Sequence, residues 1–169
     1  MLNIKQQEHQ KMENLITKAG YEKLIKDLSI MASKERLNIA KEIEEARGHG
    51  DISENAGYAD AKDRQGRLES DIATLQEYLS NSRPISSRDL SQDGKVYFGS
   101  TVTISNLEVE QVRTFKIVGV PEADAKNGMI SYKSPIARSM IGKYVGDDFD
   151  VETPGGDCHT YEILEIKHL

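Results

Sequence analysis

Two acids, Asp51 and Glu54, stand three residues apart in the stretch Glu45-Ala46-Arg47-Gly48-His49-Gly50-Asp51-Ile52-Ser53-Glu54-Asn55-Ala56-Gly57-Tyr58. If a helix begins at Asp51, both carboxylates project from nearly the same side of its first turn. Such a pair is a candidate for chemistry that needs two carboxylates in one place. It is also close to a capping box, in which an Asp N-cap and a Glu at the third helical position satisfy backbone donors and suit the positive end of the helix dipole. Spacing alone leaves both readings open. Other chemistry is poorly supplied. Ser53 has no adjacent base and reads as a polar helix-start residue, and His49 is a lone histidine of the solvent-facing kind. Cys158 is the single cysteine, which excludes a disulfide within the chain, and no Cys/His spacing resembles a zinc site.

The elements that must position the acids are two long helical patterns. Gly48 and Gly50 are expected to stop the first, since glycine reaches the left-handed conformation of a C-terminal cap without steric penalty, and Asp51 to start the second as N-cap. Thr17 offers the N-cap of the first helix. Apolar residues follow at Ile25, Leu28, Ala32, Ile39, Ile43 and Ala46, with Glu35 where one is missing and Leu24, Met31 and Leu37 widening the stripe. After the acids, Tyr58, Ala61, Gln65, Leu68, Ile72, Leu75 and Leu79 alternate steps of three and four, the pattern of a coiled-coil seam. The short turn makes the helices antiparallel and puts Asp51 and Glu54 at a tip about 40 Å from the base, at 1.5 Å rise per residue.

Asn81-Ser82-Arg83-Pro84 ends the second helix, because the residue before proline is pushed out of the helical region. Strands are expected at Thr101–Ile104, Val112–Val118, Met129–Tyr132, Phe149–Glu152 and Tyr161–Ile166, with Asn127-Gly128 as a hairpin turn and Pro154-Gly155-Gly156 as another. Ser134 to Gly142 reads as a short capped helix with Pro135 at its first position. The fold class is therefore α+β: a mobile extension over residues 1–16, an antiparallel α-helical coiled-coil hairpin over 17–82, and a small, mostly antiparallel β-sheet domain with one short helix over 83–169.

Composition narrows the partners. A net charge of −6 with pI about 5.3 argues against a protein that coats nucleic acid and favours a basic partner surface, so any contact with nucleic acid should be local. No apolar run is long enough to span a membrane, and the first residues are too polar for a secretory signal, so no membrane partner and a cytoplasmic location are expected.

At this point the motifs carry a resemblance. Ala46-Arg47-Gly48-His49-Gly50-Asp51-Ile52-Ser53-Glu54-Asn55-Ala56, and far downstream Ser134-Pro135-Ile136-Ala137-Arg138 and Thr153-Pro154-Gly155-Gly156, resemble the GreA/GreB transcript cleavage factors of bacterial RNA polymerase, closer to the GreA type. The similarity covers about residues 15–169. It implies a coiled coil that enters the polymerase secondary channel and a C-terminal domain of the FKBP type docked at the channel rim. The implied function is rescue: the factor stimulates polymerase itself to cut the extruded 3′ end of backtracked nascent RNA, and is an accessory protein rather than an enzyme.

By the same resemblance, Asp51 and Glu54 retain a second Mg²⁺ shared with polymerase and orient its water, since two carboxylates alone make a poor metal cage. Arg47 and Lys62 match a small basic patch that holds RNA through its phosphates; a helix C-terminus suits Arg47 equally, and Lys62 reads equally as solvated. Glu122, Asp124, Pro135 and Ile136 are the implied polymerase-docking residues, although Ile136 also reads as core. Isomerase activity does not follow from an FKBP-like fold. The free protein is expected to be a monomer. Gly48 and Gly57 depart from the family, standing where many relatives have glutamate. The competing readings are a non-cleaving occupant of the same channel that inhibits or competes with other factors, and a coiled-coil chaperone whose tip acids bind basic clients.

Overall fold

The computed structural model describes residues 14–48, 55–86, 93–152 and 155–168. Its first element is a short strand, β1 (Leu15–Thr17), paired in parallel with β2 (Arg83–Ile85). Ile16, at the centre of β1, is fully buried. The expected tail over residues 1–16 is corrected here for Leu15 and Ile16, because backbone pairing and apolar burial offset the entropy of ordering them.

Thr17 caps the following helix, α1 (Lys18–Ile30), as its position predicts: its Oγ1 accepts the Gly20 N–H at 3.0 Å. The chain stays helical through a π-helical turn, Met31–Glu35, into α2 (Arg36–Gly48). At that turn the Arg36 N–H reaches back five residues to the Met31 carbonyl, so one more residue is accommodated than in an α-turn. This is where the apolar stripe skips. The extra residue resets the phase, leaves Glu35 exposed, and lets Leu28, Met31 and Ala32 on one side of the turn and Ile43 on the other pack on Ile39, Leu68 and Ile72. Ile25 and Leu37, expected in the stripe, are 45% and 57% exposed. Each helix of a two-helix hairpin has one neighbour, so the buried stripe is narrower than the apolar pattern.

The second arm, α3 (Ala56–Ser80), keeps its whole expected seam: Ala61, Leu68, Ile72 and Leu79 are buried, and Tyr58, Gln65 and Leu75 half-buried. Side-chain links fix an antiparallel register. Arg36 Nη2 lies 2.5 Å from Glu69 Oε2, Arg64 Nη1 lies 2.7 Å from Glu42 Oε2, and the Arg47 guanidinium sits 5.9 Å from the Tyr58 ring centre. The residue numbers of each pair add to 105 or 106, as one antiparallel register requires.

The rest of the chain builds a five-stranded sheet in the order β5-β4-β3-β7-β6, from β3 (Thr101–Asn106), β4 (Gln111–Val118), β5 (Met129–Ser131), β6 (Asp148–Glu152) and β7 (Cys158–Lys167). Three pairings are antiparallel, but β4 and β5 run parallel, so the sheet is mixed. The expected hairpin at Asn127-Gly128 is the reason for the difference. Gly128 does take the left-handed conformation, at φ 73°, but it closes a 3₁₀ turn, Ala125–Asn127, inside a crossover from β4 to β5.

The sheet curls around Val102, Ile104, Ile117 and Ile163, all essentially without exposure, together with Phe98, Tyr132 and Phe149. The short helix α4 (Pro135–Met140), capped by Ser134 Oγ on the Ala137 N–H at 3.3 Å, seals this core with Ala137 and Met140. Leu15 and Ile85 pack against the same core. The compact units accordingly divide at Gly20 and Ser82 rather than at residues 17 and 83: one holds the chain up to Gly20 and from Ser82 onward, the other Tyr21–Asn81. No helix among the described residues is long and apolar enough to cross a membrane.

Candidate functional site: the hairpin tip

The two predicted acids, Asp51 and Glu54, lie outside the described residues, as do His49, Gly50 and Ser53. What the structure defines is the frame on either side of them. Gly48 is the last residue of α2 and remains helical, so the expected left-handed cap does not fall there. The N-cap of α3 is Asn55, not Asp51. Asn55 Oδ1 accepts the Tyr58 N–H at 3.1 Å, and its Nδ2 donates to the Ala46 carbonyl at 2.7 Å. One amide thus satisfies an orphan N–H of the second arm and a C-terminal carbonyl of the first, where helices lack partners of their own. Sequence reading missed this role. The signal was present, since asparagine is among the best N-cap residues, but Asp51 competed for the assignment.

The predicted RNA-contact residues share a ridge. Tyr58, Lys62 and Gln65 are spaced by four and three on α3, and Arg47 from α2 lies over the Tyr58 ring. Lys62 Nζ donates to Gln65 Oε1 at 2.7 Å, and both Arg47 and Lys62 are exposed. On another flank, Gly57, Asp60, Ala61 and Arg64 face Glu42, Glu45 and Ala46 across an open groove of about 410 Å³ that Asn55 closes at the tip end. Here Arg64 is engaged with Glu42. A side chain at Gly48 would meet nothing within 4 Å, whereas one at Gly57 would press on Asn55 Oδ1 at 3.3 Å.

The predicted docking residues lie in the sheet unit, and internal contacts occupy most of them. Glu122 Oε2 accepts the N–H groups of Thr17 and Gly119, each at 2.9 Å, and Oε1 accepts the Thr17 hydroxyl. Asp124 caps the turn that follows, accepting the Lys126 N–H at 3.1 Å and Asn127 Nδ2 at 2.7 Å. Ile136 is partly buried against the core, and Pro135 is exposed at the first position of α4. The long-range role of Glu122 had no local signal.

Comparison with known proteins fits this layout. Residues 14–83 match the family described as "Transcription elongation factor, N-terminal", and residues 91–168 match "Transcription elongation factor, GreA/GreB, C-term". The chain is 44% identical over 154 residues to the transcription elongation factor GreA of Neisseria meningitidis serogroup A, a match covering 91% of this chain and 97% of the relative. The chain belongs to the GreA/GreB family of transcription elongation factors. GreA of Pseudomonas aeruginosa is 47% identical over 79% of this chain and 84% of its own. Among solved structures, GreA factor homolog 1 of Thermus thermophilus aligns over 92% of this chain and 99% of its own, at 26% identity and a TM-score of 0.40. The two family matches meet the two halves of the molecule: the first spans β1, the hairpin and the start of β2, the second the five-stranded sheet.

Proposed function

We propose that this GreA/GreB family member binds bacterial RNA polymerase through its secondary channel and stimulates the polymerase's own cleavage of backtracked nascent RNA. The observation that carries this reading is the double cap at Asn55. The capping-box reading of Asp51 and Glu54 needed Asp51 as the N-cap, and that position belongs to Asn55, which favours the chemical reading of the pair. Membership of an elongation-factor family supports the same assignment.

The donor chemistry suits Mg²⁺, whose preferred ligands are carboxylate and water oxygens in an octahedral shell. Two carboxylates fall short of that shell, so the pair fits an ion shared with polymerase rather than one of the chain's own. That ion, when bound, polarises water and stabilises charge at the phosphate. Asp51 and Glu54 would retain it and orient its water. Arg47, kept extended over Tyr58, and Lys62 bind RNA phosphates along the ridge and hold the extruded 3′ end in place. Asp124 and the exposed Pro135 offer contacts for docking at the channel rim. The chain supplies groups to another enzyme's active site and performs no turnover alone.

The test is RNA release from purified, artificially backtracked polymerase in Mg²⁺, comparing the protein with the double variant Asp51→Asn, Glu54→Gln. The expected result is acceleration by the original and a loss of about 10²-fold in the variant, the scale of removing groups that stabilise developing charge, with polymerase binding kept. Binding by both without acceleration by either overturns the cleavage reading in favour of a non-cleaving channel occupant.

A further inference from the structure

Among the described residues no cation pairs with Glu122, yet both its oxygens are engaged by Thr17, far away in sequence. Oε2 takes the Thr17 N–H across 105 residues and also the Gly119 N–H, and Oε1 takes the Thr17 hydroxyl. Thr17 in turn accepts the Gly20 N–H, so one chain of hydrogen bonds runs from the β4 to β5 crossover into the first turn of α1. Gly20 is where the carboxylate packs: a Cβ built there would fall inside the Glu122 carboxyl group. Glycine in a helix is otherwise a loss relative to alanine, and here the close approach of Glu122 is its physical reason. The Asn14 N–H donating to Tyr132 Oη at 3.1 Å and the pairing of β1 with β2 hold the preceding residues to the same unit.

We propose that Glu122, with Thr17 and Gly20, is a clamp on the root of α1, and that its contribution to transcript cleavage is positioning rather than contact with polymerase. All three residues belong to the sheet unit, and the helix they hold continues without a break to Gly48. At 1.5 Å per residue that helix is roughly 45 Å long. A few degrees of freedom at its root therefore displace its far end by several ångströms, and misplacement of reacting groups by about 1 Å already costs on the order of 10²-fold in rate. This inference rests on the cleavage reading given above.

Two variants separate a clamp from a docking acid. Glu122→Ala removes the carboxylate; Gly20→Ala leaves it in place but pushes it off Thr17. The clamp requires that both raise amide hydrogen exchange at Thr17 and Gly119, keep affinity for core polymerase within about twofold, and lower the RNA release rate at saturating factor by about 10²-fold. A docking acid gives the opposite division. Glu122→Ala then weakens binding with the saturated rate intact, and Gly20→Ala behaves as the original; that outcome overturns the proposal. Exchange is read on the free protein. If the unaltered protein fails to stimulate cleavage, the cleavage reading falls, while unchanged exchange at Thr17 and Gly119 in both variants independently removes the clamp.

Discussion

The two ends of the first arm are closed by the same device with very different reach. At the tip, Asn55 bridges nine residues to the Ala46 carbonyl and caps its own helix. At the root, Glu122 bridges 105 residues to Thr17. The tip closure needs only a turn and two helix ends, and its polar groups would be unsatisfied without it. The root closure exists only after the sheet has folded and brought the crossover beside β1. The first arm is thus closed near its end by a residue nine positions away, and at its root by a residue far along the chain. Packing follows the same division: the sheet unit has a core enclosed by strands and α4, whereas the hairpin core is Ile39, Leu68 and Ile72 with partly buried neighbours.

The largest test of this division sets Ile117→Ala in the sheet against Ile39→Ala in the hairpin. Ile117 has no exposure and Ile39 has 7%. The sheet variant should lose about 4 kcal/mol and the hairpin variant about 2 kcal/mol, the upper and lower parts of the range for truncating a buried isoleucine. Denaturant unfolding followed by circular dichroism measures both, and equal losses would dissolve the contrast between an enclosed core and a one-sided seam. Asn55→Ala comes next. It should cost about 1–2 kcal/mol, from a lost N-cap and an unpaired Ala46 carbonyl. Hydrogen exchange should rise at Tyr58 and its neighbours while the sheet amides stay protected; exchange rising equally in both units would mean that the tip closure is not local.

The smallest effect concerns the exposed links along the hairpin. Hydrogen bonding from Arg36 holds the Glu69 carboxyl below the ordinary glutamate range. A depressed folded value means that the contribution is complete above that range and is lost as pH falls through the lowered value. Acidification should therefore narrow the small difference in thermal midpoint between the protein and Glu69→Gln, and a difference that widened instead would reverse the sign. Screening by water keeps the effect slight.

Much of the fold was legible because its signals are local. The seam from Tyr58 to Leu79, the Thr17 cap, the Ser134–Pro135 start of α4 and the approximate positions of five strands follow from periodicity and from which side chains satisfy helix ends. Less legible were features set by competition. Asp51 and Asn55 are both good caps, and the chain uses the one whose amide also reaches Ala46, because a carboxylate has no N–H to donate. The skip at Glu35 was visible as a missing apolar residue, yet its cause, a π-helical turn, depends on the facing helix demanding the resumed stripe.

By itself the sequence determined the two-part architecture, the helical seam, the acids at Asp51 and Glu54 and the motifs that place the chain among the GreA/GreB elongation factors. Periodicity, turn chemistry and motif spacing are properties of short stretches, and they act before any distant contact forms. Only the tertiary structure decided that β5 runs parallel to β4, that Leu15–Thr17 is a strand, and that Glu122 grips Thr17 against Gly20. Those features depend on backbone and carboxylate groups whose partners lie tens of residues away, and a local pattern cannot choose between such partners until folding brings one of them within hydrogen-bonding distance.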